Sequence, residues 1–208
     1  MVRPSRPEVR SLLIARAAAM LARRETITLR RLVAGTGVST MAVYTYFDGM
    51  DGLRGAVRQE GFSRLATRLN GLPATDDPIS DLAAAGAAYA ASARENPELY
   101  VLMFDGSLPL PDDQAAGATL QCLIEIVQRA MNSERVDPGL DAVVFANELW
   151  MLGHGACMLF TTGVLSFDQV EPMVTSGLVR LYGAAGDDPD SARRSLDYGW
   201  VRGLGEGG

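Results

Sequence analysis

Apolar side chains at Val9, Leu12, Leu13, Ala17, Met20 and Leu21 recur three and four residues apart, and no stretch of the chain alternates apolar and polar residues. Three-and-four spacing gathers side chains on one face of a helix, whereas a half-buried strand would need a period of two. The pattern predicts an all-α protein. Its first helix carries Pro7 in the opening turn, where a missing N–H breaks no intrahelical bond. Thr28 is placed to cap a short helix over 29–36, Gly37 ends it, and Ser39 is placed to cap another over 40–47. Asp48-Gly49 then breaks the chain before a longer helix over 50–69.

Residues 71–78 are polar and bear Pro73 and Pro78, so a domain boundary is expected there, dividing the chain into 1–70 and 71–208. Beyond it, helices are expected over 79–93, 97–104, 114–131, 140–162 and 167–182. From Gly183 the tail is rich in Gly, Asp and Arg, ends Gly205-Glu206-Gly207-Gly208, and is expected to be mobile.

The same boundary marks a change of charge sign. Residues 1–69 hold 12 Arg against 5 acids, whereas the remainder holds 7 Arg against 20 acids, which hides a basic module inside a formal net charge of −6. A basic module suits a polyanion. The chain has no Lys, so each such contact would be a guanidinium, able to fork onto phosphate or guanine.

Several function classes are disfavoured. Cys122 and Cys157 are too few for a disulfide framework and lack CxxC spacing, which points to a reducing, cytoplasmic setting. No basic neighbour in sequence lowers either thiol's pKa, so a redox switch is not expected. With His154 as the single histidine, no metal site is expected, and the sequence carries no phosphate loop or dinucleotide fingerprint that would imply a cofactor. The uncharged run 149–167 is long enough to cross a bilayer, but Gly153, His154, Gly155, Thr161, Thr162, Gly163 and Ser166 within it suit a protein core better than lipid.

Residues 28–47 describe two short helices joined by a tight turn, with Leu32 and Val33 inward and Val38 plugging the corner: a helix-turn-helix. In its second helix Val43 and Phe47 lie four apart on the packing face, while Thr40, Met41, Tyr44 and Thr45 lie mostly elsewhere. Short hydroxyls, a phenol and small apolar groups at a helix N-terminus can reach base edges, thymine methyls and phosphates in a major groove.

The run from Leu32 to Phe47, with Gly37-Val38-Ser39, Tyr44, Phe47 and Leu53 in order after an amphipathic helix, resembles the helix-turn-helix of TetR-family transcriptional regulators over about residues 8–69. The resemblance implies an all-helical homodimer with a three-helix N-terminal domain that binds a palindromic operator, most often as a repressor. Its C-terminal helices would bind a small apolar or aromatic effector and dimerise through 140–162 and 167–182. It makes Thr28, Ser39, Thr40, Tyr44 and Tyr46 phosphate contacts and Met41, Ala42 and Thr45 the base-facing set. The family usually has Lys three residues after the phenylalanine; here Met50 stands there, and Arg30, Arg31 or Arg54 could compensate.

Trp150-Met151-Leu152-Gly153-His154-Gly155 is similar to the Trp-xxx-His-Gly pattern of one C-terminal class in that family. Trp150 and His154 share a helix face. With Tyr89, Tyr100, Met103, Phe104, Cys122, Ile126 and Met158 they are the candidate effector-pocket residues. Two rival readings stand beside the regulator: a partner-binding helical module that has lost DNA affinity, suggested by Met50, and a small all-α enzyme using His154 with Glu148. The second is disfavoured, because no nucleophile, metal set or phosphate loop accompanies that pair.

Overall fold

The computed structural model describes residues 6–204. They form ten α-helices and no strand: α1 Arg6–Ala22, α2 Leu29–Val33, α3 Met41–Phe47, α4 Met50–Asn70, α5 Pro78–Glu95, α6 Pro97–Met103, α7 Gln114–Asn132, α8 Ala142–Thr161, α9 Phe167–Ala184 and α10 Pro189–Leu204. Two compact units result, one from residues 6–64 and 95–115 and the other from 65–94 and 116–204, so α4 contributes to both.

In the first unit Leu13, Leu32, Val43, Leu53 and Val57 are wholly buried. Thr28 caps α2 by accepting from Arg31 N–H (3.4 Å). This helix ends at Val33, three residues before the apolar pattern suggested, because Gly35 as well as Gly37 takes a φ of +72°. Thr36 folds back, donating from Oγ1 to Val33 O (2.7 Å) and accepting from Val38 N–H (3.1 Å). The cap expected of Ser39 is formed differently: its backbone carbonyl accepts from Ala42 N–H (3.0 Å), and no side-chain cap forms at Thr40. A Cβ on Gly52 would lie 1.7 Å from Phe47 O, so only glycine lets the start of α4 lie on the end of α3. Helix α6 and the loop behind it are tied to α4 by Arg58, which donates to Met103 O (2.7 Å) and Leu108 O (2.9 Å).

In the second unit α5 is buried along nearly its whole length. Ile79, Val127, Phe145, Ala146, Tyr182 and Leu196 from five helices form the core around it. The mobile tail expected from Gly183 is instead largely a docked helix, α10, with Ala192 and Leu196 in the core. Its glycines are packing devices rather than breakers: a Cβ on Gly199 or Gly203 would lie 2.1 Å from Ser80 O or Ala84 O, so the two backbones touch. Residues 205–208 lie outside the described residues.

A polar network locks α5, α7 and α10 together. Asp81 accepts from Arg129 (2.9 Å), Arg202 (3.1 Å), and Thr75 N–H (2.9 Å) and Oγ1 (2.8 Å). Burial alone would raise the Asp81 pKa, but these hydrogen bonds outweigh it and hold the carboxyl below its ordinary value. Arg202 also donates to Ser80 Oγ (3.0 Å) and Pro73 O (2.9 Å), and Arg129 to Thr75 O. Arg135 bridges Asp77 (2.8 Å) and Asp187 (3.0 Å), while Ser195 Oγ donates to Asp77 (2.6 Å).

Candidate functional site

The first candidate is α3. Residues 41, 44, 45 and 48 recur on one side of this helix and 43 and 47 on another. Accordingly Val43 and Phe47 are buried, whereas Met41 (63% exposed), Tyr44 (52%) and Thr45 face outward. Ala42, assigned above to the base-facing set, is buried beside Val43, so its side chain is turned away from that face. Thr40 and Tyr46 are half-buried, with the Tyr46 ring edge-on to Phe47 at 6.5 Å, and Thr28 and Ser39 are exposed. Thr45 Oγ1 donates to Met41 O (3.0 Å).

Four arginines of the first unit are differently engaged. Arg30 is exposed and unpaired among the described residues, while Arg31 holds Glu25 (3.0 Å) and Arg10 lies 5.5 Å over the Phe47 ring. Arg54 is exposed, with Asp51 at 3.9 Å, and Met50 is half-buried.

The second candidate is a cavity of about 80 Å³ in the second unit, walled by Leu69 of α4 and by residues of α5, α7, α8, α9 and α10. Three of the expected pocket residues meet here, Tyr89, Trp150 and His154. Four-residue spacing on α8 stacks the Trp150 ring on the imidazole (centroids 5.1 Å, planes 20° apart), and Tyr89 Oη is 3.1 Å from His154 Nδ1. Burial lowers the His154 pKa, so the imidazole is neutral at pH 7. Glu148 is exposed on the same helix.

The remaining expected pocket residues lie elsewhere. Tyr100, Met103 and Phe104 belong to the first unit, where Phe104 packs against Tyr100 and Phe62 (5.0 and 5.5 Å) and Gly61 makes room for Met103. Cys122 and Ile126 line a separate cavity of about 250 Å³ beside Asp81, Arg129 and Arg202. Met158 is half-buried outside the wall of either cavity. Burial, with Glu125 nearby, raises the Cys122 pKa. The cavity instead recruits Cys157, Phe160, Phe167, Glu171 and Trp200. Trp200 was hidden from sequence reasoning because it lies in the segment read as a mobile tail.

The uncharged run at 149–167 is buried on one side only. Leu149 and Cys157 face the core, while Met151 (58% exposed) and Leu159 join Met173 of α9 along an apolar groove of about 300 Å³. By length and composition α8 could cross a membrane.

A family model described as the tetracyclin repressor-like C-terminal domain matches residues 82–181. An uncharacterized HTH-type transcriptional regulator of Mycobacterium tuberculosis is 28% identical over 160 residues, covering 76% of this chain and 71% of the relative. A protein of unknown function from Rhodococcus sp. RHA1 superposes with a TM-score of 0.71 at 26% identity, over 89% of this chain and 97% of that one. RolR in complex with resorcinol shares the fold, with a TM-score of 0.66 at 16% identity over 92% and 94% of the two chains. The tetracyclin repressor-like match over residues 82–181 and the HTH-type relative, beside an outward-facing α3, support a TetR-family transcriptional regulator.

Proposed function

We propose that the protein is a homodimeric cytoplasmic repressor whose residues up to 70 read a palindromic operator and whose residues from 71 onward dimerise and bind a small apolar effector that releases the DNA. The observation that carries the reading is the outward face of α3, where Met41, Tyr44 and Thr45 stand in solvent. A phenol, a hydroxyl and an apolar side chain grouped outward on one short helix can meet phosphates, base edges and thymine methyls in a major groove. One short helix reads few base pairs, so two copies about 34–36 Å apart are needed for a specific site. The apolar groove at Met151, Leu159 and Met173 supports α8 and α9 as the surface that pairs them. RolR carries resorcinol, and a ligand of that size suits the apolar wall around Tyr89, Trp150 and His154.

The test is fluorescence anisotropy on fragments of the gene's own promoter region at two salt concentrations. Nanomolar, sequence-selective and salt-sensitive binding is expected, and Tyr44→Ala should weaken it at least tenfold, about 1.4 kcal/mol, while leaving the dimer intact. Equal, weak binding to every fragment would favour a partner-binding module without DNA affinity.

A further inference from the structure

One side chain in the cavity wall of the second unit carries a buried polar atom with no partner among the described residues. Trp200 Nε1 is buried and has no hydrogen-bond acceptor among the described residues, and Trp200 is part of the cavity wall. An indole N–H can only donate, so its deficit can be met only by an oxygen or nitrogen lone pair brought to it. Buried donors are almost always paired, and a site with an unpaired one discriminates for ligands that supply the partner.

Charge narrows the ligand class further. Among the lining residues Glu171 is the only one with a formal charge, and the imidazole of His154 is neutral at pH 7. An anion would lose its hydration against a carboxylate, with no cation in the wall to replace it. A cation would suit Glu171 and the aromatic faces but would leave the indole N–H unanswered. At about 80 Å³ the cavity is smaller than the roughly 150 Å³ apolar cavity known to take a benzene ring, so one small ring with slight side-chain movement fills it.

We infer that Trp200 is the ligand-anchoring donor of this cavity, and that the effector is an uncharged, single-ring molecule presenting a carbonyl or hydroxyl oxygen to Trp200 Nε1. The inference rests on the reading of the cavity as the effector site. It is independent of the operator.

Both tryptophans of the chain, Trp150 and Trp200, line the cavity, so the two indole N–H resonances of the full-length ¹⁵N-labelled protein report on it directly. The probes are phenol, toluene, benzoate and benzylammonium, matched in ring size and differing in acceptor and charge. Phenol should bind at least tenfold tighter than toluene and move the Trp200 N–H resonance downfield, and benzoate and benzylammonium should bind more weakly than phenol. Trp200→Phe should bring phenol and toluene to equal affinity, read on the Trp150 resonance. Should that variant misfold, the wild-type shifts alone decide. Toluene binding as tightly as phenol, or a charged probe binding more tightly, would overturn the acceptor requirement while leaving the cavity a ligand site. No shift of either resonance by any probe would overturn both readings.

Discussion

Replacing Gly199 with Ala tests the claim that α10 is seated by direct backbone contact. The added Cβ would lie 2.1 Å from Ser80 O and 2.7 Å from the Ala83 Cβ, where ordinary contact begins near 3.4 Å, so α10 must retreat by about 1.3 Å. Neither obstacle is the end of a flexible side chain. A retreat of that size would stretch the 3.0 Å and 3.1 Å bonds from Arg202 to Ser80 and Asp81 beyond hydrogen-bonding reach. Overpacking costs about 1–3 kcal/mol, and a hydrogen bond to a charged group contributes about 1.5–3 kcal/mol. Alanine's better helix propensity returns about 1 kcal/mol. The net is a loss of about 3 kcal/mol, a drop of roughly 6–12 °C in Tm for a chain of this size. Urea titration followed by helical circular dichroism measures it. Gly117→Ala in α7, where a Cβ meets nothing within 4 Å, is the matched control and should be neutral or slightly stabilising. If Gly199→Ala unfolds at the same urea concentration as the wild type, α10 is not held by backbone contact and the reasoning fails.

Three further outcomes are expected. Met50→Lys should restore a phosphate contact and steepen the dependence of log K on log salt by about 0.9, measured by operator titrations across a salt series. Glu at both Met151 and Met173 should weaken self-association at least tenfold, about 1.4 kcal/mol, as read by light scattering, with helical content unchanged. The folded-state pKa of Asp81 lies below its unfolded value of about 3.9, so the unfolded chain binds the extra proton as acid is added. Its contribution is therefore complete above that value and lost as pH falls through the lower, folded one. Asp81→Asn should flatten the acid limb of a stability-against-pH curve, and an unchanged limb would remove Asp81 from the network's energetics.

Local chemistry carried most of the helix assignment. Apolar spacing and capping residues are written within a few positions of one another, so Thr28 marks a helix start that the structure contains. The outward stripe of Met41, Tyr44 and Thr45 was legible for the same reason. The burial of Ala42 was not, because a methyl is compatible with either face and only packing against neighbours decides. The cavity was legible where its residues share one helix, as Trp150 and His154 do, and illegible where they come from distant helices. Thus Tyr100 and Met103, aromatic and soft enough to suit a pocket, fill the core of the other unit, whereas Trp200 joins His154. Glycine misled most: at Gly199 and Gly203 it permits contact between helices that sequence cannot show to be neighbours.

The seating of α10 on α5 has a consequence for biosynthesis. Ser195 and its partner Asp77 are 118 residues apart, so at about 5–20 residues per second α5 waits roughly 6–24 s after translation before its partner helix exists. Throughout that interval its alanine-lined strip and two carboxylates are open to the ribosome's surroundings. Variants that delay the docking of α10 should accordingly show themselves first as chaperone dependence and poor soluble yield in the producing cell, before any defect appears in the purified protein.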